Sequence, residues 1–409
     1  MKSRVKIAVL CDRLGPYHFA QLKAASRHAE IIAIEFSTKD QTYEWEVIKG
    51  ASGFIRVTLF SDPVDMQPVN AVIKKVNNAL AGIKPQVVAI PGWDAPASLF
   101  ALWWCLHNNT PSIIMSDSQK DDVVRVWWKE WVKRQIVKLN SSGFVAGLPH
   151  IDYLKSLGMP EKRIFTGCDI VDNAFFAEKA RGYQQESAAV RKRLGLPEKY
   201  FLASSRFILE KNIFLLLQAY AKYCQKTVGD PWKLILLGDG PLKSQIIRHR
   251  EKLGLSNDVL LPGFKQYEEL PAFYGLAGAF IHASTQETWG LVVNEAMACG
   301  LPVIVSSHCG CATDLVRHAC NGFVFDPYDS EELANHMAFV SGDTCNRGEM
   351  GEASRNIIDC WSLETFASNL VDAANAAREA DSPRFDYISK ALLWGLMHRR
   401  RSHRKKKQS

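Results

Sequence analysis

Short apolar, β-branched runs alternate with longer amphipathic stretches along the 409 residues, and the alternation starts twice. The first series reads KIAVLC, YHFAQLKAASRHA, IIAIEF, VVAIP, ASLFALWWCLHNN and PSIIMS. The second opens near Tyr200 with FLASS, NIFLLLQAYAKYC, KLILLG, PLKSQIIRHREKLG, VLLPGF, GAFIHAS and PVIVS. Strands buried on both faces read as unbroken apolar runs, and parallel neighbours need a crossover between them, usually a helix. Each series therefore predicts an α/β lobe built on a parallel sheet, and the chain is long enough for two.

The change of lobe falls in the polar stretch 178–198, EKARGYQQESAAVRKRLGLPE, which has no buried strand pattern. This gives a first lobe over 1–185 and a second over 195–360. A crossover helix over 361–380 follows, capped at Ser362 with Glu364 nearby, and then a basic appendage over 381–409. No repeat of solenoid period is present.

Composition narrows the function classes. No run approaches eighteen apolar residues, and the start MKSRVKIAVLC carries no signal-like apolar region, so a cytosolic protein is expected. The ten cysteines lack a repeated CxxC spacing and read as reduced core thiols. Cys309 and Cys311 with His308 make a conceivable zinc set, but no second ligand pair stands at a metal-binding spacing, so no metal is expected. The formal charge of +7 equals the seven basic residues of 399–407, which leaves the rest of the chain neutral. Nucleic acid is therefore not an expected partner. The first strand is not followed by GxGxxG, which disfavours NAD chemistry.

The segment after the strand AFIHAS, TQETWGLVVNEAMACGLPVIV, is the most informative. A helix expected from Gly290 to Cys299 places Glu295 on its second turn and Glu287 on the loop leading in. A carboxylate accepts hydrogen bonds from a vicinal diol, so two acids at two depths of one pocket suit a nucleotide sugar. The N–H groups at the helix start favour a diphosphate. Upstream, FLASS runs into Arg206 and then Glu210 and Lys211. Cations at the carboxyl end of a strand can neutralise charge on a departing diphosphate. The Gly238–Pro241 turn and the Gly263–Lys265 turn lie on the same expected edge, where Gly240 and Phe264 can approach base and ribose.

Taken in order, Arg206 with Lys211, GDGP, PGF and ETWGLVVNEAMACGLPVI resemble the retaining GT-B glycosyltransferases of family 4, over about residues 200–328. HCGCATDLVRHACNGFVFDPYDSEELA resembles the region after that family's E-x7-E signature. The resemblance implies the GT-B architecture, an α/β fold of two Rossmann-like lobes facing each other across a cleft. It implies diphosphate binding by Arg206, Lys211, Gly290 and Leu291, ribose binding by Glu295 and donor-sugar contact by Glu287. A glycine loop, here Gly15, closes over the phosphates. Retention is attributed in the family to front-face displacement, in which the leaving diphosphate takes the acceptor proton, so neither a protein base nor a cofactor is required.

In the first lobe, Gly15 precedes Pro16, Tyr17 and His18, and His18 reads either as a capping or surface residue or as a catalytic one. Asp117, after PSIIMS, stands where many relatives carry a histidine. It reads as a helix cap or as a ligand of acceptor or donor sugar, and Asp94 shares that ambiguity.

Residues 123–139, VVRVWWKEWVKRQIVKL, interleave three tryptophans with basic residues. They suit an amphipathic helix on an anionic membrane, or equally a helix that packs its tryptophans on the sheet. The 399–407 tail suits the same membrane or a solvated end. The function expected is hexose transfer from a nucleotide sugar to a saccharide or lipid-linked acceptor in surface polysaccharide or glycolipid synthesis. A nucleotide-sugar epimerase of the same fold and a non-catalytic sugar-nucleotide-binding protein are the alternatives.

Overall fold

The computed structural model describes residues 4–38, 53–122 and 125–398. The first lobe begins with β1 (Lys6–Cys11), α1 (Pro16–Ala25), β2 (Glu30–Ser37), β3 (Ile55–Phe60) and α2 (Val69–Ile83). It continues through β4 (Val87–Pro91), α3 (Pro96–His107), β5 (Ser112–Ser116) and α4 (Trp127–Lys138). It ends with β6 (Ser142–Val145), α5 (Leu148–Ser156) and β7 (Ile164–Thr166). The strands pair in parallel in the order β3-β2-β1-β4-β5-β6-β7.

Two helices, α6 (Asn173–Gln185) and α7 (Ser187–Leu194), occupy the polar stretch expected to be a plain connection. Asp172 caps α6 by accepting from the Phe175 N–H at 3.0 Å. Phe176 and Ala180 are then buried in the second lobe's core beside Tyr274. A helix with one narrow apolar stripe has a polar composition, which is why the stretch read as a linker.

The second lobe runs β8 (Tyr200–Ser204), α8 (Ile213–Lys226), β9 (Lys233–Leu237), α9 (Lys243–Lys252) and β10 (Val259–Gly263). Next come α10 (Leu270–Gly275), β11 (Ala279–His282), α11 (Leu291–Ala298), β12 (Val303–Ser306) and α12 (Ala312–Leu315). β13 (Gly322–Phe325), α13 (Ser330–Ser341) and α14 (Arg347–Ile358) complete it. Its parallel order is β10-β9-β8-β11-β12-β13.

Both sheets reverse their strand order once, between β1 and β4 and between β8 and β11. In open α/β sheets the crevice for ligands opens at the carboxyl ends of strands at such a reversal. Gly15 and Asp94 follow β1 and β4, while Arg206 and Glu287 follow β8 and β11, so topology alone gathers these residues at the two switch points.

The chain returns to the first lobe through α15 (Leu363–Glu379), whose N-cap Ser362 accepts from the Thr365 N–H at 3.2 Å. Its Phe366, Leu370, Ala373 and Ala377 are buried in one cluster with Leu22 of α1 and Ile7 and Val9 of β1. The appendage after it contains α16 (Tyr387–Met397), which buries Leu393 and Met397 in the cluster that holds α3. Its exposed Tyr387, Ile388 and Trp394 hid the two anchoring residues from a reading by pattern.

β3, absent from the apolar series, is held by a buried acid. Glu35 of β2 receives Arg56 through two bonds, at 2.6 and 3.0 Å, and also the Leu14 N–H at 3.2 Å. A paired, fully hydrogen-bonded carboxylate meets the condition for burying charge, and it needs Arg56 in a strand whose one buried apolar side chain is Leu59.

Candidate donor site at the lobe interface

Glu287 lies on the loop between β11 and α11 and Lys211 on the turn after β8, and the two form an ion pair. The His282 Nε2 is 2.8 Å from the same carboxylate oxygen. Burial by itself would raise the Glu287 pKa, but the bond and charge of His282, with those of Lys211, more than reverse this and hold it at about 2. The acid is therefore a fixed anion. His282 is the one ionisable residue in an otherwise apolar strand, a signal that could have marked it. Arg206 is half-buried and makes no ion pair with any described residue, so its charge is available to a ligand.

Gly290 precedes α11 at φ +106°, a backbone conformation that favours glycine, and α11 begins without a side-chain cap. The N–H groups of Leu291 and its neighbours thus start a helix with no residue blocking them. Gly240 also has a positive φ, and a Cβ there would come within 2.8 Å of the Phe207 backbone, so its glycine is explained by loop packing. Phe264 is half-buried on the turn after β10.

Glu295 is wholly buried. Tyr274 donates to one of its oxygens at 2.7 Å, and Tyr17, from the first lobe, donates to the other. Burial raises the pKa, the two phenols offset part of that, and the result is about 7. Neither tyrosine was singled out in the sequence, since each occupies an ordinary helical position.

Across the cleft, Gly15 is the residue before α1, and a Cβ on it would meet nothing within 4 Å. Its φ of −86° suits any residue, so the protein's own packing does not demand glycine there. His18 keeps much of its surface in water while protein crowds around it, as in a wet cleft, and the desolvation lowers its pKa. Asp117 accepts from the Thr288 hydroxyl at 2.8 Å and so is bonded to the donor loop of the other lobe. Asp169, after β7, is pushed up to about 7 by burial and by the charges of Asp117 and Glu287. It is a further cleft acid, which the sequence reading passed over. Asp94 lies after β4 on the same edge.

Cys309 donates to the Trp289 carbonyl at 2.8 Å, and its sulfur is 3.5 Å from that of Cys311. His308 instead bonds the Thr285 carbonyl through Nδ1 at 3.0 Å. Among the described residues no three His, Cys, Asp or Glu side chains converge as a metal site.

A sequence profile described as glycosyl transferases group 1 matches residues 185–357. Over these residues, which take in most of the second lobe, the chain is similar to the group 1 glycosyl transferases. The alpha-monoglucosyldiacylglycerol synthase of Streptococcus pneumoniae is 34% identical over 219 residues, covering 50% of this chain and 48% of that protein. A GDP-mannose-dependent alpha-(1-6)-phosphatidylinositol monomannoside mannosyltransferase of Mycolicibacterium smegmatis is 29% identical, over 47% of this chain and 52% of the relative. The chain thus spans about half the length of these curated relatives. Among solved structures, sucrose-phosphate synthase from Thermosynechococcus elongatus superposes with a TM-score of 0.71 at 19% identity, covering 90% of this chain and 97% of that one. Anabaena HepE in complex with UDP and glucose gives 0.69 at 18% identity, covering 90% and 98%. The chain therefore has the GT-B fold, with both lobes represented in the superpositions.

Proposed function

We propose that the chain is a retaining glycosyltransferase that moves a hexose from a nucleotide diphosphate to a lipid-linked or saccharide acceptor, in glycolipid or surface polysaccharide assembly. The observation that carries this reading is the Glu287, Lys211 and His282 set beside Arg206 at the switch point of the second sheet. The acceptor oxygen bonds to the anomeric carbon as that carbon's bond to the diphosphate oxygen breaks, and the acceptor proton passes to the departing diphosphate. Arg206, Lys211 and the start of α11 face the charge that builds on that leaving group, and Glu287 accepts from sugar hydroxyls. Ribose hydroxyls take the place of Tyr17 on Glu295. Gly15 leaves room for the phosphates, Gly240 and Phe264 border the base, and Asp117, Asp169 and His18 border the acceptor. The closed lobes exclude water and orient the reactants.

A lipid acceptor is supported by the names of two relatives and by α4. Trp127 is 81% exposed and Trp131 47%, so the tryptophans do not pack on the sheet. Ile136 and Val137 do that instead, while Arg125 lies before the helix and covers the Tyr153 ring at 4.3 Å. Among the described residues no helix is long and apolar enough to cross a membrane. We place the protein in the cytoplasm, against the inner membrane face, through the exposed aromatic and basic residues of α4. The basic residues 399–407, which lie outside the described residues, would add to that attraction.

The test is incubation of the purified chain with radiolabelled nucleotide sugars and membrane extract. Label is expected in lipid or polymer; donor isomerised without incorporation, or no turnover with any donor, would sink the reading.

A further inference from the structure

The short segment Glu287–Thr288 of the second lobe is held by three side chains of the first. Asp117 accepts from the Thr288 hydroxyl at 2.8 Å, Gln119 donates to the Glu287 carbonyl at 3.2 Å, and His150 faces the Thr288 carbonyl at 2.9 Å. His150 is 1% exposed, and its other nitrogen, Nδ1, accepts from the Gly147 N–H at 3.1 Å. An acceptor at Nδ1 and a carbonyl at Nε2 fix one neutral tautomer, with the proton on Nε2. The surroundings of the ring are closely packed. A Cβ on Gly147 would meet Trp289 at 2.6 Å, the Trp289 ring lies 5.8 Å from the imidazole, and the Leu148 N–H donates to Asp314 at 3.1 Å. None of the three bonds from Asp117, Gln119 and His150 involves a carboxyl group of the E-x7-E acids, yet all three fall on residues 287–288.

We propose that His150 is a positioning residue that ties the Thr288 carbonyl to the first lobe, so that Glu287 is aligned for the donor sugar only when the lobes are closed. The proposal rests on the sugar-transfer reading, and its test has an arm that does not. Two substitutions of similar size divide the two ring nitrogens between them. His150→Gln places an amide N–H near Nε2 and keeps the bond to Thr288, whereas His150→Asn keeps an acceptor for Gly147 and loses the reach to Thr288.

Small-angle scattering of the full chain should give a wild-type radius of gyration for His150→Gln and a larger one for His150→Asn. With the donor identified by the labelling experiment, His150→Asn should raise donor KM about tenfold, as expected for one lost buried hydrogen bond, while the acceptor KM stays unchanged and His150→Gln recovers most of the loss. Equal behaviour of the two variants in scattering, whether both resemble the wild type or both open, would overturn the proposal. A wild-type chain that transfers no sugar would instead overturn the functional reading and leave the scattering comparison to decide the role of His150.

Discussion

The Glu295 carboxyl, held at about 7 by burial against an ordinary 4.5, makes the site sensitive to pH. Between those values the folded protein binds the proton more tightly than the unfolded chain, so stability falls as pH rises through that window. A gap of about 2.5 units corresponds to roughly 3 kcal/mol, and Asp169 acts in the same sense. Glu295→Gln is expected to flatten much of this decline, read from urea midpoints at pH 5 and pH 8. A variant with the wild-type slope would remove Glu295 as its source. Arg206, with no ion pair to lose, should behave oppositely: Arg206→Ala is expected to lower kcat on the order of a hundredfold while leaving the melting temperature in place. Wild-type turnover would take Arg206 out of the site. At this scale the two signature acids were legible because one continuous segment carries both. Tyr17 and His150 were not, because their partners lie 278 and 138 residues away.

Among elements, α11 depends on the turn that launches it. Gly290→Ala puts a Cβ at positive φ and within 2.8 Å of the Cys309 sulfur, so a loss of about 1–3 kcal/mol in denaturant unfolding is expected, together with weaker donor binding. An unchanged midpoint would mean that the loop relaxes freely. α4 presents the opposite case, a helix whose aromatic residues add little to the fold. Replacing Trp127 and Trp131 by alanine should abolish co-flotation with vesicles rich in anionic lipid and leave the melting temperature nearly unchanged; flotation equal to wild type would end the membrane reading. The apolar runs predicted the central strands because burial on both faces leaves a continuous hydrophobic signature. β3 escaped because it contributes an ion pair and one buried residue, and α16 because it contributes two buried residues.

For the whole molecule, the decisive element is α15, which follows the second lobe in sequence and completes the first in space. Leu370 is fully buried against α1 and the first sheet, so Leu370→Asp should destabilise the first lobe by several kcal/mol. Hydrogen exchange should then quicken in β1 and β6 while β8 and β11 stay protected. Loss of protection confined to the second lobe would contradict the packing described. The same return of the chain couples the lobes, and the bonds from Asp117, Gln119 and His150 to residues 287–288 tie the segment that carries Glu287 to the first lobe.

The amino-acid order by itself determined two parallel α/β lobes, the crossover helix at Ser362 and the likeness of the second lobe to the group 1 glycosyl transferases. These depend on local periodicity, strand-end turns and a contiguous signature. Only the tertiary structure decided that Tyr17 occupies Glu295, that α6 serves the second lobe, that α16 docks on the first, and that His150 grips the donor loop. Each is a contact between segments distant in the chain, and hydrogen bonds and burial across such distances leave no period in the sequence to read.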